Sequence, residues 1–550
     1  MERAATSSSP TVPDHNRRRL ADYALCLAHG SADVARQSLI DALGGAPEQD
    51  WLACGRQLVL QADYEAALAV FGQGAANHPH ADELRLALAG ICRQTGRTAQ
   101  AEKELREILG RQPDHVAATF LLVRILKEQG RMHAAASAMR RLFAHARQDT
   151  DTVIRAVEML DDVQRTQDAA AICEAEIAAG CIDPRIHAYA GMLGIQLGQF
   201  ERVRERYSFA LIHSPQAVEW NIPIGLASLQ RYQDGNHPDF QLFREVLQRP
   251  GLSEKARTLT LFALGKAHDD IAEYAQAAHY LREANALAHA HSTWSRKDWR
   301  RAIEARLAAK PPSFRLPGPT GWAPLFIVGV PRSGTTLLAE LLARHPSVCH
   351  RGELGWLSML ARQLEQAGAP RLADFEQAAA AYAAQLRQDD SDARWFIDKQ
   401  PLNLLHVDLI LTLWPNARII YCLRHPRDTA LSLWSQSFHD HAHDYAYDLG
   451  DIAAVIQGCE RLMSHWRARY GAAIRTVRYE ELASDPDHCL GELACWLGLP
   501  EQNRPDAPNR DHGIGTASAW QARQPIYTRS VARWRAYAPH IPELLRLPDP

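Results

Sequence analysis

Pro324-Leu325-Phe326-Ile327-Val328-Gly329 runs directly into Val330-Pro331-Arg332-Ser333-Gly334-Thr335-Thr336, and this junction decides the fold of the C-terminal half. The apolar run suits a strand buried on both faces of a parallel sheet. Beyond it, Leu337-Leu338 and Leu341-Leu342 fall on one stripe of a helix. A strand, a glycine-bounded loop and a helix start make an anion site. Glycine permits unusual backbone angles, and free N–H groups at the helix start face the anion. The spacing Gly329-x4-Gly334 is that of a Walker loop, yet Thr335 follows where that loop has lysine. A triphosphate site uses that lysine, and no later strand ends in a clear acidic magnesium ligand. Kinase and ATPase readings therefore rank low.

Working outward, Ala417-Arg418-Ile419-Ile420-Tyr421-Cys422-Leu423 reads as a second buried strand, ending at Arg424 and followed by a helical stretch from Thr429 to Ser437. Arg424, leaving the strand, and Ser432, two turns into the helix, can converge on one anion, since the arginine fork donates two hydrogen bonds to phosphate. The plainer alternative is a structural ion pair for Arg424 and a packed Ser432. A third apolar strand, Trp395-Phe396-Ile397-Asp398, delivers Lys399 to the ligand edge of a parallel sheet, unless Lys399 simply pairs with Asp398 at the surface. His350-Arg351-Gly352-Glu353 forms a short loop after the first helix. Its carboxylate either turns back over the anion site or is solvated or paired with Arg351.

In these places the chain resembles the sulfotransferases that use 3'-phosphoadenylyl sulfate (PAPS). The form VPRSGTT, with arginine inside the loop, looks like the protein-tyrosine branch; the small-molecule branch usually carries lysine there. The resemblance implies that Arg332, Ser333, Gly334, Thr335 and Thr336 cradle the 5'-phosphosulfate, with Arg332 neutralising the transferring group. Arg424 and Ser432 would bind the 3'-phosphate. Glu353 would be the catalytic base, with His350 and His345 lesser candidates because other members use histidine. Lys399 would stabilise the leaving bridge oxygen. Thr516-Ala517-Ser518-Ala519-Trp520-Gln521 continues to Pro525 and Arg533-Trp534; by its likeness to that branch, Ser518 would touch the phosphosulfate and Arg533 the cofactor phosphates. Tyr479 matches a tyrosine lining the cofactor site. One position departs: a second arginine expected in the 3'-phosphate helix is Gln436. No metal is expected. His439, His441 and His443 alternate, but in a polar stretch that reads better as a lid or acceptor-contact loop. Trp434, Trp466 and Trp496 read as core anchors.

The N-terminal half repeats. Ala62-Asp63-Tyr64-Glu65-Ala66-Ala67 recurs as Gly96-Arg97-Thr98-Ala99-Gln100-Ala101 and Gly130-Arg131-Met132-His133-Ala134-Ala135, in steps of 34 residues, and two more steps reach Gly198. Ala67, Ala101, Ala135 and Ala169 keep one phase, and Pro79, Pro113 and Pro215 stand where second helices should stop. Trp51, Gly55 and Phe71 complete the spacing of the tetratricopeptide (TPR) pattern, which this half resembles. A later unit from Leu261 through Gly265, Tyr274 and Ala284 is out of phase, so roughly 216–255 is an insertion or a degenerate repeat. Such an array either offers a concave surface to a peptide or protein partner or supports the second domain or a homodimer.

The 550 residues carry 61 basic and 64 acidic side chains, a net charge of -3 that makes no global case for nucleic acid or membrane. The first twenty residues lack a signal-like apolar stretch, and no run approaches a membrane span. Ten scattered cysteines with no C-x-x-C pair suit reduced thiols, so a cytoplasmic protein is expected. The expected architecture is an all-α TPR solenoid followed by an α/β P-loop-like parallel-sheet sulfotransferase domain. Its boundaries are a disordered N-terminus at 1–18, repeats at 19–306, a proline-rich linker at 307–321 and the transferase at 322–545. The expected activity is sulfonate transfer from PAPS to an acceptor hydroxyl, a protein tyrosine favoured, with the acceptor held by the TPR groove. A carbohydrate or small-molecule sulfotransferase is the nearest rival. A TPR adaptor with an inactive transferase half is the rival of another class.

Overall fold

The computed structural model describes residues 13–438, 441–500 and 526–548, and divides into two compact units, residues 1–152 and 153–550. The division falls within the repeats rather than near 306. In the first unit, helix pairs Glu48–Leu60 with Tyr64–Asn77, Asp82–Gln94 with Thr98–Arg111, and Val116–Glu128 with Met132–His145 follow the 34-residue period. The turn of each pair is closed by one left-handed residue: Ala62, Gly96 and Gly130 have φ of 59, 76 and 73°. Gly55 admits the ring of Phe71, because a Cβ there would overlap it. The helix Asp14–His29 already takes in residues 14–18, which composition alone left unstructured. Asn16 is buried there and donates to Asp50 Oδ1 at 2.9 Å, and Arg19 to Oδ2 at 2.9 Å.

The second unit opens on more pairs of this kind, Thr166–Ala178 following the turn at Gln164, then Pro184–Leu197 with Phe200–His213, and Glu254–Asp270 with Tyr274–Ala290. Gly191 receives Tyr207 and Gly265 receives Leu281 as Gly55 receives Phe71. The stretch between is an ordered insertion, with helices Ile222–Ala227 and Pro238–Leu247 burying Tyr232, Phe240 and Phe243.

Five strands follow: β1 (Ala323–Gly329), β2 (Val348–His350), β3 (Trp395–Asp398), β4 (Arg418–Leu423) and β5 (Ile474–Arg478). They form one parallel sheet in the order β2-β3-β1-β4-β5, with Gly329 opposite Cys422. Every residue of β1 is buried, and alternation splits it between two apolar clusters: Phe326 and Val328 in one, Leu325 and Ile327 in the other.

The segment 309–321 has neither helix nor strand, but it is fastened down: Leu316 is buried and its N–H donates to Thr412 O at 2.9 Å. Repeat helices are tied to the sheet domain as well. Asn285 Nδ2 donates to Trp434 O at 2.8 Å, and Trp299 Nε1 to Ala454 O at 3.1 Å. These ties explain why the later repeats belong to the same compact body as the sheet.

Candidate active site

The carboxyl ends of all five strands meet the residues singled out above. β1 runs into the Arg332 loop; Lys399, Arg424 and Tyr479 each stand one residue past β3, β4 and β5, and Glu353 stands three past β2. This is the edge at which open parallel sheets bind ligands.

The β1–β4–β5 end gathers arginines. Arg332 sits in the left-handed region at φ 72°, and its Nε donates to Ser432 Oγ at 3.1 Å. Arg424 donates to Arg332 O at 2.9 Å and to Ser530 O at 2.8 Å, and lies 4.6 Å from the ring centre of Tyr479. Tyr479 bonds Ser530 Oγ through its hydroxyl at 2.6 Å. Its ring covers Gly334, at φ 96°, so closely that a Cβ there would clash. Burial, and then the neighbouring charge of Arg424, bring Arg332 down to about 10. Burial likewise lowers Arg424, with Arg533 pushing the same way. Thr335 and Thr336 open the helix Thr335–Leu342 and are buried, as is Ser333. Ser333 Oγ and Arg424 Nε are buried without a hydrogen-bond partner among the described residues.

The β2–β3 end holds opposite charges. Lys399, wholly buried, donates its ammonium to Glu353 Oε1, while Glu353 keeps 37% side-chain exposure. Lys399 N donates to Gly352 O at 2.9 Å. The alternative partnerships are not the ones formed. Asp398 leaves Lys399 alone and instead receives Tyr382 Oη, Asn403 Nδ2 at 2.7 Å and Leu354 N at 3.2 Å. Arg351 turns away to Asp390 Oδ1 at 2.8 Å and to the carbonyls of Leu386 and Arg387. Burial pushes the Asp398 carboxyl up to about 7, against the hydrogen bonds from Tyr382, Leu354 and Asn403 that favour its ionised form.

The remaining candidates take their partners elsewhere. His345 is held in a turn, accepting from Ser347 N at 3.1 Å with its other ring nitrogen 3.2 Å from Pro500 O, and His350 faces Glu340 at 3.3 Å. Arg533 is ion-paired to Asp269, at the end of the repeat helix Glu254–Asp270; Tyr537 Oη also donates to that carboxylate at 2.5 Å. Burial would lower Arg533, but Asp269 and Tyr537 raise it instead. Gln436 donates locally, to Ser435 O at 3.2 Å. Ser518 and His439 lie outside the described residues. His441 faces Asp444 at 3.1 Å and His443 stacks on Phe438, and no cluster of metal-ligating side chains occurs among the described residues.

Three carboxylates here went unread as functional. Asp428 accepts Ala532 N at 2.7 Å and Trp534 N at 2.9 Å, which lays the C-terminal segment beside Arg424. Asp398 could have been found, since a carboxylate closing an apolar strand needs a buried partner. Asp269 carries no local signal in sequence.

With this geometry in hand, residues 324–503 match the model of the sulfotransferase family, and residues 58–125 that of the tetratricopeptide repeat. The sheet domain carries the sulfotransferase signature. An uncharacterized protein of Aquifex aeolicus (strain VF5) is 25% identical over 540 residues, covering 91% of this chain and 69% of its own length. A protein-tyrosine sulfotransferase of Drosophila melanogaster is 24% identical over 241 residues, covering 39% of this chain and 47% of its own, so the chain spans less than half of that relative. Among solved structures, the sulfotransferase domain from the Synechococcus PCC 7002 olefin synthase aligns at 22% identity and a TM-score of 0.33, over 43% of this chain and 97% of that one. No helix among the described residues is long and apolar enough to cross a membrane.

Proposed function

We propose that this protein transfers a sulfonate group from PAPS to an acceptor hydroxyl, a protein tyrosine being the favoured acceptor. The observation that carries the reading is the delivery, by five parallel strands, of an arginine cluster and a lysine–glutamate pair to one sheet edge. The arginine end fits a donor with two phosphate groups. Half-buried like charges and, among the described residues, an unsatisfied Ser333 hydroxyl and an unsatisfied Arg424 Nε all gain from an anion. Arg332 with residues Ser333 to Thr336 would hold the phosphosulfate, and Arg424 with Ser432 the 3'-phosphate; Tyr479 closes the loop from above.

Glu353 takes the acceptor's hydroxyl proton as that oxygen forms its bond to sulfur. The bond from sulfur to the 5'-phosphate breaks, its electron pair stays on the phosphate oxygen, and Lys399 supplies positive charge there. Adenosine 3',5'-bisphosphate leaves. Lys399 bonds to Glu353 in the resting protein, so one ammonium serves the base before transfer and the leaving oxygen during it. The repeat array would recruit the acceptor or a partner protein.

The test is incubation with sulfur-labelled PAPS and host-cell lysate, comparing the wild type with Glu353→Gln. Label moving only with the wild type supports the reaction and its base. Label in protein supports tyrosine, and label in glycan or small molecules overturns that acceptor. Binding of the donor by both proteins with transfer by neither would move the inactive adaptor ahead.

A further inference from the structure

Position 164 occupies the slot held by Ala62, Gly96, Gly130 and Gly198, each reached in steps of 34 residues, and all five are left-handed. Gln164 has φ 60°, a left-handed angle that strains an L-residue and that glycine adopts freely. Angle alone does not single it out, since Ala62 shares it. What differs is where the side chain ends.

The Gln164 amide rests on Gly352, the residue before Glu353. A Cβ on Gly352 would lie 2.6 Å from Gln164 Nε2 and 3.1 Å from its Oε1, and Gly352 is itself left-handed at φ 66°. The neighbouring Arg165 pairs with Asp390 Oδ2 at 3.1 Å, and Asp390 Oδ1 accepts Arg351 Nη2 at 2.8 Å. One carboxylate thus joins the repeat turn to the residue before Gly352. Lys399 N also holds Gly352 O, and Asp398 holds Leu354 N. Glu353 is the one residue of this loop whose side chain is left to face outward, at 37% exposure.

We infer that Gln164 is a positioning residue for Glu353: the repeat turn presses its amide on Gly352 and fixes the loop that carries the base. The inference rests on Glu353 as base, and it gives the repeats a part in catalysis besides recruitment. An error of about 1 Å in placing a reacting group costs up to about a hundredfold in rate.

Gln164→Gly is the variant to make, because glycine already fills this slot at 96, 130 and 198 and folding should survive. The melting temperature is expected to stay equal or rise. Affinity for adenosine 3',5'-bisphosphate is expected to stay within twofold. Transfer from PAPS to an acidic tyrosine peptide should fall about tenfold to a hundredfold in kcat with KM for PAPS unchanged. Amide exchange over 351–355 should rise while that over 330–336 does not. Unchanged exchange over 351–355 overturns the inference, whether or not the peptide is an acceptor, and so does unchanged kcat. Full transfer by Glu353→Gln in parallel would instead sink the base assignment, leaving the exchange result to report on the clamp itself.

Discussion

At the β1–β4–β5 end of the sheet edge, the main-chain carbonyl of Arg332 draws Arg424 to it while Ser432 holds the Arg332 side chain, and the two like charges oppose each other. At the β2–β3 end, Lys399 is wholly buried, but the partly exposed carboxylate of Glu353 answers it, and a buried carboxylate, Asp398, holds the neighbouring main chain. The first arrangement leaves Ser333 Oγ and Arg424 Nε without hydrogen-bond partners among the described residues. The second is complete by itself and must be opened or shared during a reaction. Losing a side chain at the first end should therefore be felt in binding, and at the second in turnover and folding.

The largest expected separation is Glu353→Gln. Turnover should drop about 10²–10⁴-fold, the usual worth of a general base, with affinity for adenosine 3',5'-bisphosphate unchanged by calorimetry. Glutamine still offers an oxygen to the buried Lys399 ammonium, so the fold should persist with a lower melting temperature. Weaker bisphosphate binding with full turnover would reverse the two ends. Next in size is Arg424→Ala, expected to weaken bisphosphate binding about 10- to 100-fold, the worth of charged hydrogen bonds to phosphate. An unchanged affinity there would mean that the arginine cluster serves only to fasten the C-terminal segment through Ser530.

Asp398 sharpens the comparison through pH. Its folded carboxyl titrates near 7, whereas an unfolded aspartate titrates near 4. Between those values the folded protein holds a proton that the unfolded chain has released. Stability linked to this group is then greatest below about pH 4 and declines as pH rises toward 7. Asp398→Asn should flatten that decline in thermal melts taken from pH 5 to pH 7, and lower turnover about tenfold through the loosened Leu354. An identical pH slope in both proteins would remove Asp398 from the account.

How much of this could be read beforehand follows from how local each signal is. The strand-loop-helix at 324–342 and the 34-residue period are written in neighbouring residues, and both appear in the structure where the spacing put them. Lys399, Arg424 and Tyr479 follow strand ends, so the fold class was enough to bring them to one edge. Partner choice was not legible. The residue next in sequence, Asp398, is the obvious mate for Lys399, but strand alternation points adjacent side chains to opposite sides, and Lys399 meets Glu353. Gln164 and Asp269 reach the sheet domain across more than a hundred residues of chain, and no local pattern encodes such a meeting.

Asp269 gives the smallest effect and the finest test of the arginine end. It holds Arg533, whose charge is felt by both Arg332 and Arg424, so its own negative charge weakens the positive field that an anion meets. Asp269→Asn should therefore tighten adenosine 3',5'-bisphosphate binding by about threefold, most clearly at low salt, where screening is weakest. The same change strips the carboxylate from a half-buried arginine and from the buried Tyr537, so the melting temperature should fall. Tighter binding with lower stability would place Arg533 within reach of the donor phosphates. A fall in stability with no change in affinity would leave Arg533 as a joint between a repeat helix and the C-terminal segment, and the donor site would then rest on Arg332 and Arg424.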